Sequence, residues 1–296
     1  MKQDVLECIE STFVTLLRYL GQHHIKPAFD TAIHQLAQIQ LLNHHHRHAA
    51  GYTYSLNSLT QYLELIHLAD LIVHMVEVYY KQEMLCFVDE NDFLSMCNQE
   101  KRALEAKIDD QAAAGLDHVI DVMMDQVEHI LRTRQEVSDF DPPPGVSVDL
   151  RSTPACQSVL DCLSQYTTLV TRATDKHIVE VFLGEVGLRF YNILNQHIRR
   201  FRIDTGAGGF QLISDLNEYH GWASRYLKNP EIVRYFDVLK EVGHLFIVTP
   251  QHLRDLLHDA PRFEPVLRVE EVYEFVELRT DYAKIKSMVD ERCVLM

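Results

Sequence analysis

Apolar residues recur at helical spacing along most of the chain, and no alternating run is long enough to found a sheet. The spacing predicts a first helix over residues 5–20, ended by Gly21, because glycine is a weak helix former. Pro27 suits the first turn of a second helix that runs to about Leu42, before a loop over 43–54. The first fifty residues therefore predict two helices and a loop.

Two much longer amphipathic segments follow, from about residue 55 to 87 and from about 92 to 137. Gly115 marks a possible kink in the second segment. Helices of this length in a soluble protein are rods that pack side by side in a bundle. We therefore expect two very long helices to dominate the first half of the chain.

Proline divides the chain, since eight of the nine prolines lie from Pro142 onward and three of them are consecutive. Three prolines in a row exclude helix and favour an extended connector. The predicted domains are an N-terminal helical bundle over 1–138, a Pro-rich linker over 139–152 and a C-terminal helical bundle over 153–296. The predicted fold class is all-α, with elongated stacked helical bundles.

Shorter helices are predicted in the second half, each with a recognisable start. Thr153, Asn229 and Thr249 each precede a proline, the arrangement of an N-cap followed by proline at the first helical position. Helices are therefore predicted to start near these three residues. A final helix is predicted over about 266–292.

One long stretch, residues 175–219, combines a helix, a glycine-rich turn and the start of another helix. Its apolar residues keep helical spacing for several turns, and three arginines follow where cations suit the helix dipole. Gly206, Gly208 and Gly209 then permit the positive φ angles of a tight reversal. Nothing in this stretch has the pattern of a reaction centre.

The net charge of −15 is unevenly spread along the chain. Residues 1–140 hold 10 Lys and Arg against 21 Asp and Glu, whereas residues 141–296 hold 18 against 22. Binding to a phosphate backbone needs clustered cations, so an acidic chain of this kind is not expected to bind nucleic acid.

The six cysteines form no CxxC pair and no spacing typical of zinc ligands. We expect five of them to be buried small hydrophobes in a reducing compartment. Met1 leads directly into a charged amphipathic segment rather than a signal peptide, and no apolar run reaches the length of a membrane span. The sequence therefore predicts an intracellular protein that is soluble in its bulk.

The last four residues, Cys293-Val294-Leu295-Met296, fit the C-a-a-X signal for prenylation, with the terminal Met favouring farnesyl. A single isoprenoid gives only weak, reversible membrane binding. The charges upstream are too mixed to supply a second attachment, so we expect a protein partner to supply it. Cys293 is thus the predicted lipidation site.

A metal-dependent helical enzyme is a competing hypothesis. Two E-x-x-H pairs, Glu64/His67 and Glu241/His244, have the spacing that di-iron bundles use, but they lie on opposite sides of the triple proline. A run of histidines in 43–54 lacks the carboxylate or cysteine that would complete a site. We therefore predict no catalytic residue, no cofactor and no metal.

The order and spacing of several short motifs resemble the C-terminal part of exocyst component five and of the recyclins, fungal F-box proteins that carry a related domain. The resemblance covers roughly residues 118–285, and LRTDY (278–282) belongs to the same pattern. The residues that carry it are Glu185, Gly187, Arg189, Phe190, His197, Gly208, Gly209, Leu212, Asp215, Glu218 and Tyr219. The C-a-a-X tail favours the recyclins, because they typically end in such a box and exocyst subunits do not.

The resemblance implies a helical-rod tethering protein without enzymatic activity. Its expected role is vesicle tethering in endosomal recycling and exocytic traffic, as a scaffold for a Rab-type small GTPase and membrane cargo. A missing N-terminal F-box would join a ubiquitin-ligase adaptor, so the chain is expected to be a C-terminal fragment. The expected location is cytoplasmic and peripheral, on endosomes, Golgi-derived vesicles or sites of polarised growth. The alternative is an exocyst subunit that assembles with other exocyst chains.

Overall fold

The computed structural model of the chain describes residues 2–45, 53–143, 145, 151–173, 176–258 and 262–290. The first helices are α1 (Lys2–Tyr19), α2 (Lys26–His45), α3 (Thr53–Tyr79), α4 (Met96–Arg134), α5 (Val137–Phe140) and α6 (Pro154–Ala173). The later ones are α7 (Lys176–Ile198), α8 (Ala207–Tyr226), α9 (Pro230–Ile247), α10 (Pro250–His258), α11 (Val269–Val276) and α12 (Tyr282–Asp290). The all-α prediction is confirmed, since the β-structure of the described residues is one isolated bridge, Ile203 to Arg279.

Backbone contacts divide the chain into two compact units. The first unit is formed by residues 1–122 and 168–176, and the second by residues 123–167 and 177–296. This division falls inside α4 and α6 rather than at the triple proline. The division into domains at 139–152 stays a prediction, because much of that linker lies outside the described residues.

In the first unit, the predicted helix over 5–20 agrees with α1, but the prediction that Gly21 stops the helix is wrong. A π-helical turn, Leu20–Ile25, joins α1 directly to α2. A Cβ atom at Gly21 would lie 3.0 Å from Cδ1 of Leu104 in α4. The glycine therefore permits close helix packing, and α2 continues to His45 with residues 46–52 outside the described part.

The two long helices of the first half are confirmed as α3, with 27 residues, and α4, with 39 residues. α4 continues without a break through Gly115, where we expected a possible kink. A Cβ atom there would lie 2.1 Å from the hydroxyl of Tyr62, which is fully buried and donates to the carbonyl of Ala112 at 2.8 Å. Gly115 thus makes room for a buried tyrosine of α3.

The cysteines are buried less often than the sequence predicts. Cys97, Cys156 and Cys162 are buried, whereas Cys8 and Cys86 are exposed. The prediction is wrong for these two because Cys8 lies on the solvent side of α1 and Cys86 lies beyond α3, in a turn. The thiol of Cys86 donates to the carbonyl of Glu83 at 3.0 Å.

In the second unit, all three predicted helix starts are confirmed. α6, α9 and α10 begin at the prolines that follow Thr153, Asn229 and Thr249. The side chain of Asn229 accepts a hydrogen bond from the backbone of Glu231 at 2.9 Å, as an N-cap does. Among the described helices, none has the length and apolar character needed to cross a membrane.

The predicted final helix over 266–292 is wrong in one respect. The structure has two short helices there, α11 and α12, separated by residues 277–281. The backbone of Ile203 donates to the carbonyl of Leu278 at 2.9 Å and accepts from the amide of Thr280 at 3.1 Å. The segment forms turns around one bridge residue, Arg279, so the helix does not continue through it.

Candidate functional site

The EVGLRF motif lies in α7, where it combines an ion pair with a close-packing position. Nε of Arg189 donates to Oε1 of Glu185 at 2.6 Å, one helical turn earlier. A Cβ atom at Gly187 would lie 2.8 Å from Cδ1 of Leu227 and 2.9 Å from Cγ2 of Ile232. Gly187 therefore permits α7 to approach Leu227, just after α8, and the first turn of α9.

Phe190, the last residue of this motif, lies in the centre of an aromatic cluster. Its side chain is fully buried, and its ring centroid is 5.4 Å from that of Tyr219, 5.6 Å from Trp222 and 5.8 Å from Phe236. The Tyr219 and Trp222 rings meet it edge-on, the geometry that aromatic pairs prefer. The motif residues Phe190 and Tyr219 thus form the core between α7, α8 and α9.

His197 occupies the last turn of α7 and is only 7% exposed. Its ring packs edge-on against Phe201 at 5.0 Å. Burial, together with the nearby charge of Arg200, lowers the pKa of His197 to about 4. The imidazole is therefore neutral at physiological pH and acts as a packing group.

The glycines after α7 do not form the predicted reversal with positive φ. Gly206 precedes α8 with a φ of −111°, and Gly208 and Gly209 lie in the first turn of that helix. A Cβ atom at Gly208 would lie 1.9 Å from the carbonyl oxygen of Phe140. That same carbonyl accepts from the amide of Asp204 at 2.8 Å. The glycine is required for close approach to α5, not for an unusual backbone angle.

Asp215 is the buried carboxylate of α8, with a residue exposure of 1%. Its two oxygens accept from the backbone amide and the hydroxyl of Thr153, both at 2.7 Å. The Thr153 hydroxyl in turn accepts from the amide of Cys156 at 3.1 Å and so caps α6. Burial raises the pKa of Asp215 to about 7, although the bonds from Thr153 oppose that shift. Asp215 therefore fixes where α6 begins, whereas its neighbour Glu218 is exposed.

The LRTDY segment contains a buried cation, Arg279, which is 1% exposed. Nε and Nη2 of Arg279 donate to the two carboxylate oxygens of Asp281, each at 2.9 Å. Nη1 donates to the carbonyls of Leu245 at 2.6 Å and Val248 at 2.9 Å, at the end of α9. We call these four residues the Arg279 clasp. The hydrogen bonds from Arg279 lower the pKa of Asp281 and keep the carboxylate charged.

The LRTDY pattern is recognisable in the sequence, but the role of Arg279 and the contact between Thr153 and Asp215 were not predicted. An Arg-x-Asp pair beyond a helix end is the local signal for such a fork, but the carbonyls it binds lie 31 and 34 positions away. The two buried ionisable groups of this region, Asp215 and Arg279, are both used in internal hydrogen bonds.

The sequence predicted one further site residue, Cys293, and argued against the histidine run and the E-x-x-H pairs as metal ligands. Cys293 and the rest of the C-a-a-X tail lie outside the described residues, as do His46 and His48. Glu64 and His67 belong to the first unit, whereas Glu241 pairs with His244 at 3.1 Å in the second. Within the described ranges, no group of three His, Cys, Asp or Glu side chains is placed to hold a metal ion.

The sequence matches the model of a known protein family over nearly its whole length. Residues 1–290 match the family described as exocyst complex component Sec10-like, alpha-helical bundle. The chain belongs to this Sec10-like family. The family match also covers residues 1–117, whereas the resemblance seen in the sequence motifs began only near residue 118.

Recyclin-1 of Saccharomyces cerevisiae is 33% identical over 97% of this chain and 36% of its own length. F-box protein pof6 of Schizosaccharomyces pombe is 30% identical over 97% of this chain and 33% of its own length. Exocyst complex component 5 of Homo sapiens is 24% identical over 91% of this chain and 36% of its own length. The predicted resemblance to recyclin and exocyst component five is confirmed, and this Sec10-like chain spans about a third of these relatives.

Proposed function

We propose that this Sec10-like chain is a non-enzymatic tethering and adaptor module of membrane traffic, of the recyclin type. The observation that carries the proposal is the 33% identity to Recyclin-1 over 97% of the chain. Among the described residues of the second unit, Arg279 and Asp215 are bonded internally, which supports a role without a reaction centre, because neither side chain is available to a substrate. Helix surfaces are then what the chain offers to other molecules.

We infer that the motif residues maintain the fold. Gly208 permits a backbone contact too close for any side chain, Gly187 packs closely against the side chains of Leu227 and Ile232, and Phe190 fills the space between three helices. Asp215 and the Arg279 clasp fix where helices begin and end. These contacts set the relative positions of α6 to α12 within the second unit.

The proposed partners are a Rab-type small GTPase, membrane cargo and a ubiquitin-ligase adaptor. The name of pof6, an F-box protein, supports the link to a ubiquitin-ligase adaptor. Peripheral membrane binding through a farnesyl group on Cys293 completes the proposal, with the protein on endosomes, Golgi-derived vesicles or sites of polarised growth. A Cys293→Ser variant of the full-length protein is then expected to shift from the membrane fraction to the supernatant.

Affinity purification of the full-length protein from its own cells, followed by mass spectrometry, tests this role. Recovery of a Rab-type GTPase and a ubiquitin-ligase adaptor, with Cys293 farnesylated, is the expected result. Recovery of no protein of membrane traffic, compared with an untagged strain, would contradict the proposal.

The second candidate is an exocyst subunit, favoured by the match of 91% of this chain to human exocyst complex component 5. Recovery of the remaining exocyst chains with an unmodified Cys293 would establish this candidate instead. For a metal-dependent enzyme, no observation on the described residues provides support. Stoichiometric iron or zinc in the purified protein would support the hypothesis of a metal-dependent enzyme.

A further inference from the structure

Helix α3 in the first unit is apolar on two faces. One face contributes Leu59, Tyr62, Leu63, Ile66 and Ala69 to the core, each at most 2% exposed. The other face presents a row of exposed side chains at helical spacing, here called the α3 stripe. It consists of Leu68, Leu71, Met75, Val78 and Tyr79, which are 52, 48, 63, 38 and 49% exposed. A contiguous row of exposed apolar side chains on a soluble protein is typical of an interaction surface.

Negative charge frames the α3 stripe. Glu64, one turn before Leu68, and Glu83, one turn after Tyr79, are both exposed. Residues 53–84, which form α3 and the π-helical turn after it, contain four Asp and Glu against one Lys, and that lysine, Lys81, already binds Glu77 at 3.0 Å. The surface therefore offers an apolar centre with carboxylates at its two ends.

This charge pattern decides between the possible occupants. A second copy of α3 would bring carboxylates close to carboxylates, and an anionic lipid surface would be repelled in the same way. A partner helix with its own apolar stripe and with Lys or Arg near both ends would cover the apolar side chains and also form ion pairs with the glutamates at the two ends. Only that occupant buries the apolar row without opposing like charges.

We propose that the α3 stripe binds an amphipathic helix of a partner protein with basic residues near both ends. The nineteen helical steps from Glu64 to Glu83 span about 28 Å at the rise of an α-helix, so the basic groups of the partner lie at about that separation. This proposal adds a class of partner to the proposed function. It rests on that function in one respect only, namely that the ligand is a protein.

The test uses two synthetic helical peptides labelled with fluorescein, both with the same leucine stripe. One carries Lys near both ends at the separation above, and the other carries Glu at those positions. Fluorescence anisotropy with the purified chain is expected to show binding of the Lys peptide and at least tenfold weaker binding of the Glu peptide. Equal affinities, or no binding of the Lys peptide, would overturn the proposal.

Three variants locate the binding. Met75→Glu is expected to weaken binding of the Lys peptide at least tenfold, whereas Val137→Glu in the second unit leaves it unchanged. The control is matched because Met75 is 63% exposed and Val137 is 66% exposed. The double variant Glu64→Lys with Glu83→Lys is expected to prefer the Glu peptide. An unchanged preference in that variant, or unchanged binding by Met75→Glu, would also overturn the proposal.

All four substituted positions are exposed, so we expect unchanged melting temperatures. That measurement checks that the variants are folded. The peptide result is independent of the purification described above. Absence of traffic proteins from that purification would contradict the proposed function whatever the peptides do. Failure of the peptides alone would contradict only the α3 stripe as a binding surface.

Discussion

The two units differ in where they place polar and apolar groups. The second unit buries ionisable side chains, since Arg279 and Asp215 are each 1% exposed and are bonded inside the unit. Among the described residues of the first unit, buried hydrogen bonds come from neutral groups such as Tyr62 and Asn98. The first unit instead leaves large apolar side chains exposed along α3.

The buried groups of the second unit serve contacts within the protein, whereas the exposed apolar row of the first unit is suited to contacts with other molecules. A buried charge costs several kcal/mol unless its partners are in place, so the second unit has little freedom in how its helices are arranged. An exposed apolar row contributes little to folding and is available to another molecule. We therefore expect substitutions in the second unit to change stability, and those on the α3 stripe to change binding.

The largest effect is expected from Arg279→Met. The change leaves Asp281 and the carbonyls of Leu245 and Val248 without their shared donor. Removing one partner of a buried ion pair costs about 3–5 kcal/mol, and we expect the upper end of that range here. Urea unfolding followed by circular dichroism measures it.

Arg225 provides the matched control for this change, because it is an exposed arginine of the same unit. Arg225→Met is expected to alter the free energy of unfolding by less than about 0.5 kcal/mol. If the two variants were equally stable, the Arg279 clasp would not hold the second unit together.

The pH dependence of stability is expected to reveal Asp215. Its pKa is about 7 in the folded protein against an ordinary value of 3.8, so the folded state binds the proton more tightly. The contribution of Asp215 to stability is therefore complete below pH 3.8 and is lost as the pH rises through 7. The expected loss is on the order of 4 kcal/mol.

Comparison with Asp215→Asn isolates this contribution. His197, with a folded pKa of about 4, has the opposite effect between pH 4 and 6.5, but it is present in both proteins and cancels in the difference. The free energy of unfolding of the wild type minus that of the variant should fall steadily from about pH 4 to 8. A difference that does not vary with pH would show that Asp215 has an ordinary pKa.

Two alanine substitutions in α8 are expected to have opposite signs. Gly208→Ala places a Cβ against the backbone of Phe140, which cannot rotate away, so we expect a loss of about 2–3 kcal/mol. A Cβ atom at Gly221 would meet no neighbouring atom within 4 Å, so Gly221→Ala should gain about 0.5–1 kcal/mol from helix propensity. Thermal melting compares the two, and equal shifts would contradict the close contact between α5 and α8.

Local signals predicted much of the fold, whereas contacts between distant residues were not predicted. The Thr-Pro and Asn-Pro steps located three helix starts because a cap and a proline act within one turn. Gly208 was assigned to a turn because its true neighbour, Phe140, is far away in sequence. Likewise, Asp215 and Thr153 are 62 positions apart, and no periodicity links them. The motif residues could be recognised as a pattern, but their roles depend on tertiary packing.

The smallest effect on stability is expected on the α3 stripe. Met75→Gln removes an apolar side chain that is 63% exposed, so the free energy of unfolding should change by less than about 0.5 kcal/mol. Leu63→Ala on the opposite face of α3, where Leu63 is 1% exposed, should cost about 3 kcal/mol. Urea unfolding of both variants measures the difference between the two faces of one helix. A loss above about 1 kcal/mol for Met75→Gln would mean that the stripe belongs to the folding core of the first unit. A negligible loss, combined with weaker peptide binding by Met75→Glu, would assign the exposed face of α3 to recognition rather than to folding.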